Sequence, residues 1–94
     1  MSPGGKKPFI EKSLGKNKFL RTFKTTNDDN EFIWHRDAED RIIEVISGTG
    51  WSFQKDNCLP VKIIKGDKII IEKLSWHRII KGDTDLTVII EKCL

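Results

Sequence analysis

Apolar residues recur along this chain in short alternating runs, and no stretch keeps them at helical spacing for ten residues or more. Runs rich in Ile, Val, Phe and Trp fall at 9–12, 18–24, 31–37, 41–47, 50–55, 61–64, 68–72, 76–80 and 86–91. Each reads as a strand, because residues two apart share a face of a pleated backbone. Between them stand Thr26-Asn27-Asp28-Asp29-Asn30, Gly48-Thr49-Gly50, Asp56-Asn57, Gly66-Asp67 and Gly82-Asp83-Thr84-Asp85, all residues that favour turns. The pattern predicts an all-β sandwich or barrel with helix minor or absent. Ile-Ile-Lys-Gly-Asp occurs at both 63–67 and 79–83. Two copies are too few for a repeat architecture, so both read as strand ends entering a Gly-Asp turn.

Length narrows this further. Ninety-four residues make one small domain, expected over 9–94, behind a flexible lead-in at 1–8 that carries two Pro, two Gly and two Lys. With 33% charged residues the chain is polar, yet three Trp and five Phe are more aromatic surface than a disordered chain carries. No apolar run is long enough to cross a bilayer, and the first residues do not lead into a signal-peptide core, so a cytoplasmic protein without a membrane partner is expected. The only cysteines, Cys58 and Cys93, form no C-x-x-C pair. A disulfide framework and a cysteine-only zinc site are therefore not expected, and any metal must be held by His and carboxylates. No glycine-rich phosphate loop is present.

The net charge of +3 is unevenly spread. Basic residues outnumber acidic ones seven to one in 1–24, are outnumbered two to seven in 25–49, and lead eight to six in 50–94. A pI near 9.0 with exposed-parity Trp residues would suit nucleic-acid binding on an OB-like barrel. The acidic island repels phosphate, however, only four of 17 basic residues are Arg, and Tyr is absent, so no nucleic-acid partner is expected.

Both histidines lie in the same tripeptide, Trp34-His35-Arg36 and Trp76-His77-Arg78. Alternation puts Ile33, His35 and Asp37 on one face, with His77 and Ile79 likewise inward, and turns Trp34, Arg36, Trp76 and Arg78 the other way. If the two strands meet, His35, Asp37 and His77 surround one point. Two imidazoles and a carboxylate are a set that holds Fe(II), Mn(II) or Zn(II) with positions left open. The plainer alternative is that each ring packs at a barrel mouth and bonds locally.

With these residues in place the sequence resembles the cupin superfamily, small jelly-roll barrels with a metal at the mouth. The family's second motif, G-(x)5-P-x-G-x-x-H-(x)3-N, is matched by Gly66 and His77, with Glu72 and Leu74 at the Pro and second Gly positions and Lys81 where Asn is usual. Its first motif, H-x-H-(x)3,4-E-(x)6-G, aligned on Val45-Ile46-Ser47-Gly48, sets His35 on the first His, Asp37 on the second and Arg41 on the Glu. The run 35–41, with Gly-Trp-x-x-Gln at 50–54 and Leu59-Pro60, is also similar to small uncharacterised cupin-like proteins of marine bacteria and cyanobacterial phages. The resemblance implies a divalent metal (Fe, Mn, Zn or Ni) on His35, Asp37 and His77, and a homodimer.

Arg41 cannot ligate a metal. It either neutralises Asp37 in a metal-free barrel or leaves three ligands, with Asp40 as a fourth if a bulge turns it inward. In the inward register of Ile43, Val45 and Ser47, its guanidinium suits a bidentate grip on a small anion. Gln54, Phe53 and Trp51 on the following strand are candidates for lining or capping such a pocket, with core packing the favoured role for the aromatics. Arg36 and Glu39 read as a solvated turn laced with ion pairs. Two functions follow: a metal-dependent oxygenase, isomerase or lyase acting on a small anionic metabolite, with no separate general base identified, or a metal-free ligand-binding or dimeric regulatory barrel.

Overall fold

The computed structural model describes residues 9–25 and 33–94. Eight strands occur in chain order: β1 (Phe9–Gly15), β2 (Lys18–Phe23), β3 (Asp40–Ser47), β4 (Ser52–Lys55), β5 (Val61–Lys62), β6 (Lys68–Ile71), β7 (His77–Ile80) and β8 (Leu86–Cys93). They make two antiparallel sheets, β1-β2-β8-β3-β6 and β5-β4-β7. The last strand is therefore the middle of the larger sheet. This is the all-β sandwich that the alternation implied, in the jelly-roll form that the cupin resemblance implied, with no helix among the described residues.

Strand β8 shows the cause. Leu86, Val88 and Ile90 are buried at a spacing of two, while Thr87 faces the other side and meets the Thr22 hydroxyl at 3.2 Å. With Val45, Trp51, Phe53, Ile63 and Ile71 they form the core between the sheets. A fully buried side chain of this kind contributes about 1.5–3 kcal/mol.

The expected strands at 61–64 and 76–80 shorten to β5 and β7. Of the expected strand at 31–37, residues 33–37 are described and only His35 makes a bridge, to His77. The expected lead-in at 1–8 and turn at 26–30 lie outside the described residues.

The repeated pentapeptide ends in two different ways. Gly66 sits at φ +94 with open space around it. Gly82 is packed against backbone, and a Cβ there would press on the Thr49 carbonyl oxygen and lie 2.5 Å from the Trp51 nitrogen. One glycine serves a turn and the other a close approach of two backbone segments.

Candidate metal centre

The site is built where the segment 33–40 lies along the segment 73–77. His35 and His77 exchange both backbone hydrogen bonds, N to O at 3.0 Å and 2.9 Å. The Leu74 N–H donates to the Asp37 carbonyl at 2.7 Å, and the Lys73 N–H donates to Asp40 Oδ1 at 2.7 Å. Outside, Arg36 stacks over the Trp76 ring at 5.1 Å and Arg78 over the Trp34 ring at 4.9 Å. Such cation–π pairs contribute about 0.5–1 kcal/mol at exposed sites. They clamp the segment to β7 on its outer face.

On the inner face the structure brings together His35, Asp37 and His77, whose donor atoms all lie within 4.8 Å of one another. The imidazoles meet edge to face, 4.4 Å between centroids, and Phe53 lies 5.8 Å from the His77 ring. His77 is 3% exposed, whereas His35 keeps an exposed edge at the mouth. Each ring has Nδ1 against a carbonyl two residues back, His35 on Ile33 at 3.1 Å and His77 on Ser75 at 2.9 Å. A carbonyl only accepts, so both Nδ1 atoms carry hydrogen, and a neutral imidazole then has its lone pair on Nε2.

This tautomer creates a mismatch. His77 Nε2 lies 3.2 Å from Asp37 Oδ2, yet Oδ2 is buried and has no hydrogen-bond partner. Two lone pairs face each other there, and only a proton or a metal cation can sit between them favourably. Neighbouring donors of a tetrahedral ion with bonds of about 2.1 Å stand about 3.4 Å apart. The Asp37–His77 pair is already at 3.2 Å and the set closes from within 4.8 Å, so its donor types and positions fit a divalent metal.

Burial alone raises the Asp37 carboxyl, but a hydrogen bond from His77, formed when Nε2 also carries a proton, and the charge of Arg41 outweigh it and hold the group below the ordinary carboxylate range. For His35 burial is the leading effect. It lowers the imidazole from its ordinary value despite the opposing Ile33 carbonyl. Both groups thus favour the deprotonated form that ligates metal.

Arg41 points into the same space. Its Nη2 is 3.3 Å from Asp37 Oδ1 and its Nε donates to Glu39 Oε2 at 2.7 Å. Glu39 is thus engaged with Arg41 rather than solvated. The cavity that these groups edge measures about 400 Å³ and is otherwise almost wholly apolar.

Two residues expected at this pocket lie elsewhere. Trp51 is fully buried in the core, with its indole N–H donating to the Thr84 carbonyl at 2.5 Å. Gln54 has the opposite parity to Phe53, which does line the cavity. Its amide is taken up by Arg78 at 2.8 Å and the Cys58 carbonyl at 3.0 Å. Asp40, the conceivable fourth ligand, is exposed and caps the Lys73 N–H. A residue that the sequence reading passed over, Arg21 of β2, also lines the cavity, from the same sheet as Arg41. Its signal was available: Phe19, Arg21 and Phe23 share one parity, just as Arg41 does with Ile43 and Val45.

The fold is shared with known structures. A cupin domain from Bordetella pertussis Tohama I superposes with a TM-score of 0.64 at 18% identity, over 97% of this chain and all of that one. A cupin-2 domain protein from Shewanella frigidimarina gives 0.66 at 19% identity, over 90% and 79%. The cobalt(II) form of HppE gives 0.71 at 12% identity, over 90% of this chain and 53% of that one. This chain has the cupin fold. No family profile and no curated protein matches the sequence.

Proposed function

We propose that the protein holds a divalent metal ion through His35, Asp37 and His77 at the mouth of the sandwich and acts there on a small anionic molecule. The observation that carries this reading is the buried Asp37 Oδ2, which accepts no hydrogen bond and faces His77 Nε2 at 3.2 Å while the other nitrogen of that ring lies on the Ser75 carbonyl. That HppE, of the same fold, carries cobalt(II) supports it. A bound divalent ion polarises a carbonyl or carboxylate or, if Fe(II), activates O2, so oxygenation, isomerisation and lyase chemistry are the reaction classes within reach. Arg41 orients the anionic end, and the apolar walls keep water from the rest of the ligand.

The test is metal analysis of protein purified without chelator, wild type beside His77→Ala. Stoichiometric metal in the first and its loss in the second is the expected result, and equal content in both overturns the site. Arg41, 3.3 Å from Asp37 where the family's motif has Glu, favours a second reading, a metal-free binding barrel. No metal on purification, together with melting unmoved by added Fe, Mn, Zn or Ni, would establish that one instead.

A further inference from the structure

Arg21 and Arg41 both line the cavity, with side chains only 12% and 13% exposed. Arg21 stacks over the Phe9 ring at 3.8 Å and gives its Nε and Nη2 donors to the single oxygen Glu11 Oε2, at 2.9 Å and 2.5 Å. A guanidinium has five donors, so this one oxygen takes only part of the fork. Burial lowers the Arg21 pKa from its ordinary value, Glu11 partly restores it, and the charge of Arg41 lowers it again. Two cations of one sheet that repel each other at the wall of an apolar space are an arrangement an anion relieves.

The formal charges set which anion. Among the described residues, Arg21, Arg41 and Asp37 line the cavity, and Glu11 and Glu39 pair with the two arginines from beyond its lining; these five together leave one negative charge. A divalent ion on the His35, Asp37 and His77 set turns this into one positive charge. A monoanion then neutralises the site, whereas a dianion reverses it again. The remaining walls, including Phe23, Ile43, Phe53 and Ile79, have no polar side chain to offer a ligand's body. We propose that the cavity selects a monocarboxylate with an apolar body, its carboxylate gripped by Arg21 and Arg41, and that it does so only with the metal bound. The inference rests on the metal reading above and adds to it the ligand class, the partner residue Arg21, and a coupling between ligand and metal.

The test uses the full chain with Mn(II) as the metal probe, followed by the loss of the free Mn(II) EPR signal, and hexanoate, hexan-1-ol and adipate as ligand probes in calorimetric titration. Hexanoate is expected to bind with Mn(II) present, and to bind at least about tenfold more weakly after chelation. Hexan-1-ol and adipate are expected to bind more weakly than hexanoate in the presence of Mn(II). Arg21→Gln should keep Mn(II) and lose roughly tenfold to hundredfold in hexanoate affinity, the scale of a charged hydrogen bond. Arg21→Lys, which keeps the charge without the fork, should fall between. Mn(II) binding without a preference for hexanoate over hexan-1-ol overturns the inference and leaves the metal reading standing, as does an Arg21→Gln variant with unchanged hexanoate affinity. The absence of Mn(II) binding overturns the metal reading itself. If Arg21→Gln fails to fold, the three-ligand comparison on the unaltered protein still decides.

Discussion

Arg41 Nη2 stands 3.3 Å from Asp37 Oδ1, so one oxygen of the carboxylate is held by a cation while the other, buried, has no hydrogen-bond partner. The arginine thus orients the carboxylate for the two imidazoles without occupying their side of it. It also removes one potential ligand from the site. Arg41→Glu supplies a fourth donor, the second anionic one, in the inward register of β3 and removes the competing cation. The expected outcome is metal affinity higher by about tenfold or more, since ligand charge count tunes affinity. Competition with a chelator measures it. Unchanged or weaker affinity would mean that position 41 does not reach the ion.

The turn that delivers His77 is strained at a defined point. Leu74 stands where the cupin motif has its second glycine, and it adopts φ +63, a left-handed conformation that L side chains avoid. The strain is about 1–2 kcal/mol, and the side chain is largely exposed, so little apolar burial offsets it. Leu74→Gly relieves it against about 0.5–1 kcal/mol of added unfolded-state entropy. A net stabilisation of about 0.5–1 kcal/mol in urea unfolding is expected, with metal content unchanged. A loss of stability would show that Leu74 packs against something that its exposure does not reveal.

Much of the site could be read from alternation alone. His35, Asp37 and His77 fall on one parity and Trp34, Arg36, Trp76 and Arg78 on the other, and the structure keeps that division. Arg41 follows Ile43 and Val45 inward for the same reason. What alternation lacks is the identity of the neighbour. The pairing of β2 with β8, which sets Arg21 beside Val88, joins segments more than sixty residues apart and leaves no local trace. Parity also separates Gln54 from Phe53, yet it cannot tell a pocket wall from a core position. Trp51 shares the parity of Phe53 and is in the core because the close approach of Gly82 and the Thr84 carbonyl encloses it.

That enclosure gives Trp51 a purely structural role. Trp51→Phe removes the indole N–H from the Thr84 carbonyl and leaves a void where close packing is expected. The lost hydrogen bond and the void together should cost about 2–3 kcal/mol. For a chain of this length that lowers the melting temperature by roughly 10–20 °C. Metal bound per folded molecule should not change. If Trp51→Phe instead weakens hexanoate binding without lowering the melting temperature, the tryptophan belongs to the pocket after all.

The acid response of the metal-free protein should divide into two windows. His35 has its folded pKa lowered by burial, limited by solvent screening at its exposed edge. The unfolded chain therefore takes up this proton more readily than the folded one. Stability from His35 is complete above its ordinary value of about 6.5 and declines as pH falls below it. Asp37 is also lowered, so its contribution holds above the ordinary carboxylate value of about 4 and is lost only as pH falls through the folded one. Melting temperature measured in EDTA should stay level from pH 8 to 7, decline gently below about 6.5, and fall again below about 4. His35→Gln should remove the first decline and keep the second, and Asp37→Asn should do the reverse while lowering stability near neutral pH. An unaltered slope between pH 7 and 5 in His35→Gln would assign that decline to a different group.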